Sequence, residues 1–338
     1  MADGDRSARV TIRTVAADAG VSVAAVSKVL RNAYGVSDSL RARVMESIGR
    51  LGYRPNVAAR GMRGRTFTIG MLLTDLDNPF LSQVIDGIND VAEPAGYKVM
   101  IGVGRSSLPI ETRLIDSMID YRMDGVILVA PRLGPDIIPA YAAQIPIVAI
   151  GHHEPLAQGF DTANADDRRG AALVVEELVR RGHDDIGMIS LDLGVDHRTN
   201  VSDIREEGYL AAMAAAGLSH RARIVQFSLD ADRRDAQLAG WLDASDRPRA
   251  VYCWSDLHGV PLRSLAAQRG IAVPGDLAIA AYDNSGITGL AMVDLTSVDQ
   301  GGHAQGASAA ELLLSRIAGR RQAEHRLIPP RLVIRGSI

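Results

Sequence analysis

The chain contains very little cysteine and very little lysine for its length of 338 residues. Its single cysteine, Cys253, excludes an internal disulfide and a cysteine-rich zinc site. Cys253 lies in an apolar run, so we expect a buried and inert thiol there. Of the 37 basic residues only Lys28 and Lys98 are lysines, which we interpret as a coding bias without function.

Long apolar runs are also missing. Hydrophobic residues make up 47% of the chain, but no stretch approaches the roughly 18 uninterrupted apolar residues of a membrane span. The first ten residues have no apolar core and no cleavage-like site, so they do not resemble a secretory signal. We therefore expect a cytoplasmic protein without a membrane partner, and the length predicts two or three domains.

Charge is distributed unevenly along the chain. Residues 1–65 contain twelve basic and five acidic side chains, a net charge of +7, so the remainder carries −10 of the total of −3. A basic head on an acidic body is typical of a protein that binds phosphate groups of nucleic acid through its head. An ordinary solvated charged surface is the alternative interpretation.

Two short helices are predicted near the N-terminus. The apolar residues of the first recur at helical spacing behind a candidate N-cap at Thr11, and Gly20 ends it. Ser22 is a candidate N-cap for the second helix, which turns Val23, Ala24, Ser27, Lys28 and Arg31 outward. Residues 12–31 therefore indicate a helix-turn-helix, although the pattern also fits other small helical hairpins.

A third helix completes this module. It is predicted to begin at Ser37 and to end at Gly52, with apolar residues at helical spacing between them. Residues 56–65 are basic, and they contain too much glycine to form a secure helix alone. We interpret this segment as a conditional linker.

From residue 67 onward, apolar runs of strand length alternate with amphipathic helical stretches. This alternation predicts parallel sheets of βα units, and the number of strands fits two doubly wound lobes. Ligands in such folds bind beyond the carboxyl ends of the strands, which places a site in the cleft between the lobes. The predicted strands are Phe67–Leu73, Tyr97–Val103, Gly125–Ala130, Ile145–Ile150, Ile186–Ser190, Ala250–Cys253 and Leu277–Ala281.

The segment Thr11–Leu30, followed by Leu51–Asn56 and Ala58–Arg60, resembles the lactose/galactose repressor family. The resemblance covers nearly the whole chain. Further motifs that match the family lie at residues 77–80, 123–127, 181–183, 205–209 and 281–284. It implies a DNA-binding transcriptional regulator, most naturally a repressor, that is not an enzyme and needs no cofactor. The implied fold class is an all-α helix-turn-helix head with a hinge helix, followed by an α/β sensor of two doubly wound lobes that resemble periplasmic binding proteins.

The resemblance also implies a division of the chain into domains. The chain would cross between the lobes near residues 163, 292 and 324. Val333–Ser337 resembles the family's last strand, and no heptad helix follows it, so a homodimer is expected. The implied domains are a DNA-binding head at 10–54, a hinge helix or linker at 55–65, an N-terminal lobe at 66–163 plus 293–324, and a C-terminal lobe at 164–292 plus 325–338.

In the family the second helix enters the major groove of a pseudo-palindromic operator, and the hinge helix enters the minor groove. Lys28 then donates to guanine acceptors, with a phosphate contact as the alternative, and Met62 takes the place of the apolar wedge. The implied DNA-binding residues are Thr11, Ser22, Val23, Ala24, Ser27, Lys28, Asn56, Ala59, Arg60 and Met62.

The resemblance implies a small polar effector, a sugar or a related metabolite, bound between the lobes. Phe80 would stack on the ligand or belong to the core. Arg205 would bind hydroxyls or carboxylates or be an exposed helix arginine, and Asp283 would bind hydroxyls or cap a turn. Trp254 is either a stacking platform or a core residue of the lobe interface. The implied effector-binding residues are Asn78, Phe80, Arg205, Trp254, Ser255, Asp256 and Asp283.

Two rival classes find less support. The chain has no GK[ST] phosphate loop, no GxSxG and no HExxH, so the motifs do not favour an enzyme. His152-His153-Glu154 suggests a metal, but no partner ligands are evident from the spacing and a loop at the cleft mouth is favoured. The basic head and the absent signal argue against a periplasmic solute carrier.

Overall fold

The structure of the protein, a computed structural model, describes residues 10–30, 34–54, 64–134, 136–192 and 200–338. The chain divides into two compact units, one up to Thr66 and one from Phe67 to Ile338. Each unit has a hydrophobic core of its own. None of the helices in the described ranges has both the length and the apolar composition that crossing a membrane requires.

The first unit contains the three predicted helices. They are α1 Ile12–Asp18, α2 Val23–Leu30 and α3 Asp38–Leu51. Ser37 caps α3, whose last turn ends at Gly52 in the left-handed conformation that glycine adopts without strain. The helices meet at a small core centred on Val15, Val26 and Val44, each fully buried. This periodic burial explains why the apolar spacing predicted the helices correctly.

The second unit alternates strands and helices. Its first half contains β1 Thr68–Leu73, α4 Phe80–Ala92, β2 Lys98–Val103, α5 Leu108–Asp120, β3 Gly125–Val129, α6 Ile137–Ala142, β4 Ile147–Ile150 and β5 Asp161–Ala165. Its second half contains α7 Asp167–Arg180, β6 Ile186–Leu191, α8 Val201–Ala215, β7 Arg223–Phe227, α9 Ala231–Asp243, β8 Ala250–Cys253, α10 Asp256–Gln268, β9 Ala278–Tyr282, β10 Thr296–Asp299, α11 Gly302–Ile317, β11 His325–Ile328 and β12 Arg331–Val333. All seven predicted strands are present, with ends that differ by at most two residues.

The strands form two sheets, one for each lobe. The N-terminal lobe has the strand order β11-β5-β4-β3-β1-β2, and every pairing in it is parallel. The C-terminal lobe has the order β12-β10-β9-β8-β6-β7, in which only β12 runs antiparallel to its neighbour. Helices cover both faces of each sheet, and the central strands are buried throughout. The predicted fold class, a helix-turn-helix head and two doubly wound lobes, is confirmed.

The predicted lobe boundaries are wrong in detail, because two late strands lie in the opposite lobe. β10 pairs with β9 in the C-terminal sheet, so the chain crosses after Asp299 rather than near 292. β11 pairs with β5 in the N-terminal sheet, so the last crossing follows Ile328 rather than 324. The first crossing follows Ala165, close to the predicted 163. The lobe boundaries follow from which strands pair with each other. The sequence of a short polar strand such as β11 does not reveal its pairing partner.

Helices α4 and α11 pack unusually closely in the N-terminal lobe. A Cβ added to Gly306 would overlap the carbonyl oxygen of Val84 and lie 3.1 Å from the backbone nitrogen of Ile88. A Cβ added to Gly87 would in the same way overlap the carbonyl oxygen of His303. The obstacles are backbone atoms that cannot rotate away, so the helix contact requires glycine on both sides.

Candidate functional site

The head presents a small apolar surface beside one lysine. On α2, Val23 and Ala24 are exposed together with Lys28, and Ser27 is half-buried. Thr11 and Ser22 act locally: Thr11 forms a capping box with Thr14, and the Ser22 hydroxyl accepts a hydrogen bond from the backbone of Ala25 at 3.1 Å. The structure therefore leaves the expected base-reading side chains of α2 exposed.

Asp18, the last residue of α1, fixes α1 to α3. Its carboxylate accepts hydrogen bonds from the Ser47 hydroxyl at 2.5 Å and from the Arg50 guanidinium at 2.6 Å. The hydrogen bond from Ser47, followed by that from Arg50, lowers the pKa of Asp18 below its usual value. The carboxylate is thus charged at neutral pH, when the head would have to bind DNA.

The expected hinge lies almost entirely outside the described residues. Asn56, Ala59, Arg60 and Met62 belong to residues 55–63, for which the structure provides no description. Their DNA-binding roles stay predictions. The head and its outward α2 surface are the part of the proposed DNA interface that can be described.

A cavity of about 110 Å³ lies between the two lobes of the second unit. It is bounded by loops at the carboxyl ends of strands from both sheets, which is where doubly wound folds bind ligands. The N-terminal lobe contributes Thr74, Asp75, Asn78, Leu81, Ser106, Ala130, Pro131, Arg132, Leu133, Gly151 and His152. The C-terminal lobe contributes Leu191, Asn200, Val201, Ser202, Leu229, Trp254 and Leu257.

Of the seven expected effector-binding residues, Asn78 and Trp254 line this cavity. Asn78 also bridges the lobes, because its amide nitrogen donates to Asp283 at 3.1 Å. The other carboxylate oxygen of Asp283 accepts from Gln300 at 2.6 Å. Burial raises the pKa of Asp283, and the Arg205 charge opposes that rise. Asp283 is therefore a buried partner of Asn78 and does not itself line the cavity.

Arg205 is buried in an ion pair, which rules out the alternative of an exposed helix arginine. Its Nε donates to Asp167 at 2.7 Å, and both side chains are at most 2% exposed. A terminal nitrogen donates to the carbonyl oxygen of Trp254 at 2.8 Å, and the guanidinium carbon lies 3.6 Å from the centre of the Tyr282 ring. Burial alone would raise the pKa of Asp167, but Arg205 and then His153 outweigh it and hold the pKa below its usual value. Arg205 is not among the lining residues of the cavity. It supports the cavity wall by bonding to the backbone of Trp254, which does line the cavity.

Three further predicted residues lie outside the cavity lining. Phe80 is buried in the core of the N-terminal lobe, where a Cβ added to Gly302 would come within 2.5 Å of its ring. The core interpretation of Phe80 is thus the correct one, and its neighbour Leu81 lines the cavity instead. Ser255 caps α10, and Asp256 accepts hydrogen bonds from Ser285 and Ser297. These contacts join the start of α10 to the loop that follows β9 and to strand β10.

Sequence reasoning missed several polar residues at the cavity, three of which come shortly after strands of the N-terminal lobe. Asp75 follows β1, Ser106 follows β2 and Arg132 follows β3. Burial lowers the pKa of Arg132, opposed by the nearby carboxylates of Glu111, Asp192 and Asp75. Their position just beyond strand ends was the available signal, because such residues gather at one edge of a parallel sheet.

The pair His152-His153 makes hydrogen bonds rather than a recognisable metal site. His152 bonds to Glu154 at 3.0 Å, and His153 bonds across the lobes to Asp167 at 2.8 Å. Within the described residues, no group of three or more histidine, cysteine, aspartate or glutamate side chains is arranged to hold a metal ion. Of the two imidazoles, that of His153 contributes a hydrogen bond between the lobes.

A helix-turn-helix head joined to a two-lobed sensor with a cleft cavity defines a ligand-responsive DNA-binding regulator. Residues 11–56 match the family described as bacterial regulatory proteins, lacI family, and residues 175–338 match the periplasmic binding protein-like domain. The chain belongs to the lacI family of bacterial regulatory proteins.

Relatives from several bacteria support this assignment over nearly the full length of the chain. The HTH-type transcriptional regulator DegA of Bacillus subtilis is 31% identical over 338 residues, which is 97% of this chain and 98% of that protein. Catabolite control protein A of Priestia megaterium is 30% identical over 90% of this chain and 91% of that protein. The HTH-type transcriptional repressor PurR of Photobacterium profundum is 28% identical over 97% and 98%. The prediction of a transcriptional regulator rather than an enzyme is confirmed by these relatives.

Solved structures show the same fold. A complex of the transcriptional regulator CelR with cellobiose has a TM-score of 0.70 and 27% identity, covering 98% of this chain and 100% of that chain. The lac repressor dimer bound to operator and an anti-inducer has a TM-score of 0.83 and 23% identity, covering 97% and 98%. The chain is accordingly a DNA-binding transcriptional regulator with a periplasmic-binding-protein-like sensor.

Proposed function

We propose that this protein is a homodimeric repressor that binds a pseudo-palindromic operator and changes its operator affinity when a small molecule enters the cleft between its lobes. The observation that carries the proposal is the cavity at the carboxyl ends of both sheets, in a chain that also has an exposed helix-turn-helix surface. Its place of action is the cytoplasm, where the chromosome lies.

The head reads DNA through α2. Val23 and Ala24 are small enough to lie against base edges and thymine methyl groups, and Lys28 can donate to the acceptors of guanine. Two heads are needed because one short helix reaches only one half-site, and a two-fold operator matches a two-fold dimer. Asn56, Ala59, Arg60 and Met62 add contacts in or beside the minor groove in this proposal.

The sensor couples the ligand to the head through lobe closure. Asn78 and Asp283 join the lobes beside the cavity, as do His153 and Asp167. A ligand that contacts both walls favours one arrangement of the lobes, and that arrangement favours one spacing of the two heads. The coupling is the difference in ligand affinity between these two dimer geometries.

Replacing Lys28 with alanine tests the DNA-reading role. We expect the affinity for the preferred DNA site to fall about 5- to 150-fold, since a specific base contact contributes about 1–3 kcal/mol. Affinity for scrambled DNA of equal length should fall much less. Fluorescence anisotropy with both DNAs at several salt concentrations measures the two losses separately.

The matched control is Arg233→Ala, which removes one exposed positive charge from α9 in the sensor. It should leave both affinities nearly unchanged. An equal loss on specific and scrambled DNA for Lys28→Ala, with a shallower salt dependence, would instead identify Lys28 as a phosphate contact.

A further inference from the structure

The lobes of the sensor are joined by side chains that reach across the cleft. Asn78 of the N-terminal lobe donates from its amide nitrogen to Asp283 of the C-terminal lobe at 3.1 Å. His153 and Asp167 make another such bond, at 2.8 Å. Of these four residues, Asn78 alone also lines the cavity. The contact between Asn78 and Asp283 is therefore the one that a bound ligand can reach directly.

The Asn78 amide has a fixed orientation. Its oxygen accepts from the backbone N–H of Phe80 at 3.0 Å, so its nitrogen is the atom that faces Asp283. Asn78 follows β1, and strands β3 and β4 lie between β1 and β5, after which the chain first crosses between the lobes. The contact thus lies away from that crossing, and a rotation of the lobes about the crossing would separate Asn78 from Asp283.

Asp283 is also held from its other side. Its second carboxylate oxygen accepts from Gln300 at 2.6 Å, and Gln300 lies in the crossing that follows β10. The Gln300 side-chain oxygen accepts in turn from Gln305 of α11 at 3.2 Å. A terminal nitrogen of Arg205 lies 3.9 Å from the carboxylate. Each oxygen of Asp283 therefore has a neutral amide donor, and a buried carboxylate needs such donors because burying it without partners is costly.

The turn that carries Asp283 is strained. Asp283 and Asn284 have φ angles of 103° and 47°, in the left-handed region that favours glycine. Bonds on several sides keep this conformation: the Asn284 N–H donates to the Ser297 hydroxyl at 3.0 Å, and the Asn284 side-chain oxygen accepts from Arg335 at 2.7 Å. Strained backbone persists where its surroundings over-determine it, and it is common in switch regions. This turn holds the Asp283 carboxylate against Asn78.

We propose that the hydrogen bond from Asn78 to Asp283 is a latch that holds the lobes together in the ligand-free sensor, so that breaking it changes DNA affinity without any effector. Because Asn78 lines the cavity, a ligand acts on the latch by contacting its amide. The latch itself follows from contacts within the sensor. Its link to DNA affinity rests on the proposed function of the chain as an operator-binding regulator.

Exchanging the two side chains tests the latch. Asn78→Asp sets two carboxylates against each other, and Asp283→Asn leaves one acceptor oxygen for two amide donors, so each single variant weakens the contact. The double variant restores it, because the amide at position 283 can donate to the carboxylate at position 78 while its oxygen accepts from Gln300. The carboxylate at position 78 can still accept from the backbone of Phe80.

Opening of the lobes is measured in the full chain as the distance between two spin labels. Strands β2 and β7 lie at the ends of the sheets opposite the crossing strands, so labels are attached after Leu108→Cys and Asp232→Cys, near the start of the helices that follow them. Both positions are exposed, whereas Cys253 is buried. Dilution with excess unlabelled chain leaves one labelled subunit per dimer. Burial raises the pKa of Asp283 to about 7, so a buffer of about pH 8 keeps its carboxylate mostly ionised.

The ligand-free parent should give a single label distance. Each single variant should add a longer distance and shift the equilibrium towards the open form by about tenfold or more, as expected for the loss of a hydrogen bond to a charged group. The double variant should return to within about threefold of the parent. Affinity for the preferred DNA site should follow the same pattern. Asn89→Asp is the matched control, because it places the same charge near the C-terminal end of α4 and should change neither quantity.

Single variants that keep the parent distance, or a double variant that stays as open as the single variants, would overturn the latch. A change in DNA affinity without any change in label distance would overturn it as well. If a single variant fails to fold, the double variant decides, since a latch requires that it fold and close. Opening and recovery of the lobes without any change in DNA affinity would support the latch and contradict the proposed coupling.

Discussion

Replacement of Arg205 with methionine is expected to destabilise the sensor by about 3–5 kcal/mol, because it leaves the buried carboxylate of Asp167 without its main partner. Both side chains are at most 2% exposed, so water cannot replace the lost charge. The hydrogen bond to the Trp254 carbonyl disappears at the same time. Thermal or denaturant unfolding of the sensor measures the effect, which corresponds to a fall in Tm of about 10 °C.

Two further variants show whether the buried charge is the cause. Arg168→Met removes a surface arginine of α7 that pairs with Glu207, and it should change the stability by less than about 0.5 kcal/mol. Combining Arg205→Met with Asp167→Asn removes the stranded charge and should recover a large part of the loss. A loss below about 1 kcal/mol for Arg205→Met, or no recovery in the double variant, would show that this ion pair does not support the cleft wall.

Gly306→Ala is expected to cost about 3 kcal/mol or more, because the added methyl group meets backbone atoms of α4 that cannot rotate aside. Helices α4 and α11 would have to separate, and α4 begins two residues after Asn78 and carries Leu81, both of which line the cavity. The variant should therefore also weaken ligand binding. Unfolding by denaturant, followed by circular dichroism, gives the change in the free energy of unfolding.

Gly240 of α9 offers a matched control, since it is also a helical glycine but a Cβ there meets no other atom within 4 Å. Gly240→Ala should stabilise the protein by about 0.4–1 kcal/mol, because alanine loses less backbone freedom on folding. If both alanine variants changed the stability by similar amounts, close helix packing at Gly306 would not be the reason for its glycine.

Much of the fold could be predicted because most helices and strands are marked by patterns within a short stretch of sequence. Apolar spacing identified α1 to α3, and fully buried strands such as β3 and β8 were visible as apolar runs. The strands that went unrecognised are polar or partly exposed, as in β7 and β11, where only the pairing partner reveals the strand. Strand pairing is a contact between segments that are distant in the sequence. For the same reason the lobe boundaries predicted near residues 292 and 324 were misplaced.

The site was harder to predict than the fold, because a position beyond a strand end does not say which way the side chain turns. Phe80 follows β1 but packs inward where Gly302 leaves room, whereas Asp75 and Arg132 line the cavity. The family resemblance implies that Arg205 binds the effector. In the structure Arg205 lies behind the cavity wall, because its guanidinium pairs with Asp167. Such differences depend on partners that are distant in the sequence.

The most direct test of the regulator assignment is a selection of binding sites from random double-stranded DNA by the purified full chain. We expect enrichment of one pseudo-palindromic sequence, and we expect a Val23→Glu/Lys28→Glu variant to lose this enrichment while its sensor unfolds at an unchanged temperature. Failure to enrich any sequence, or equal enrichment by the variant, would contradict the account of a head that reads DNA through α2.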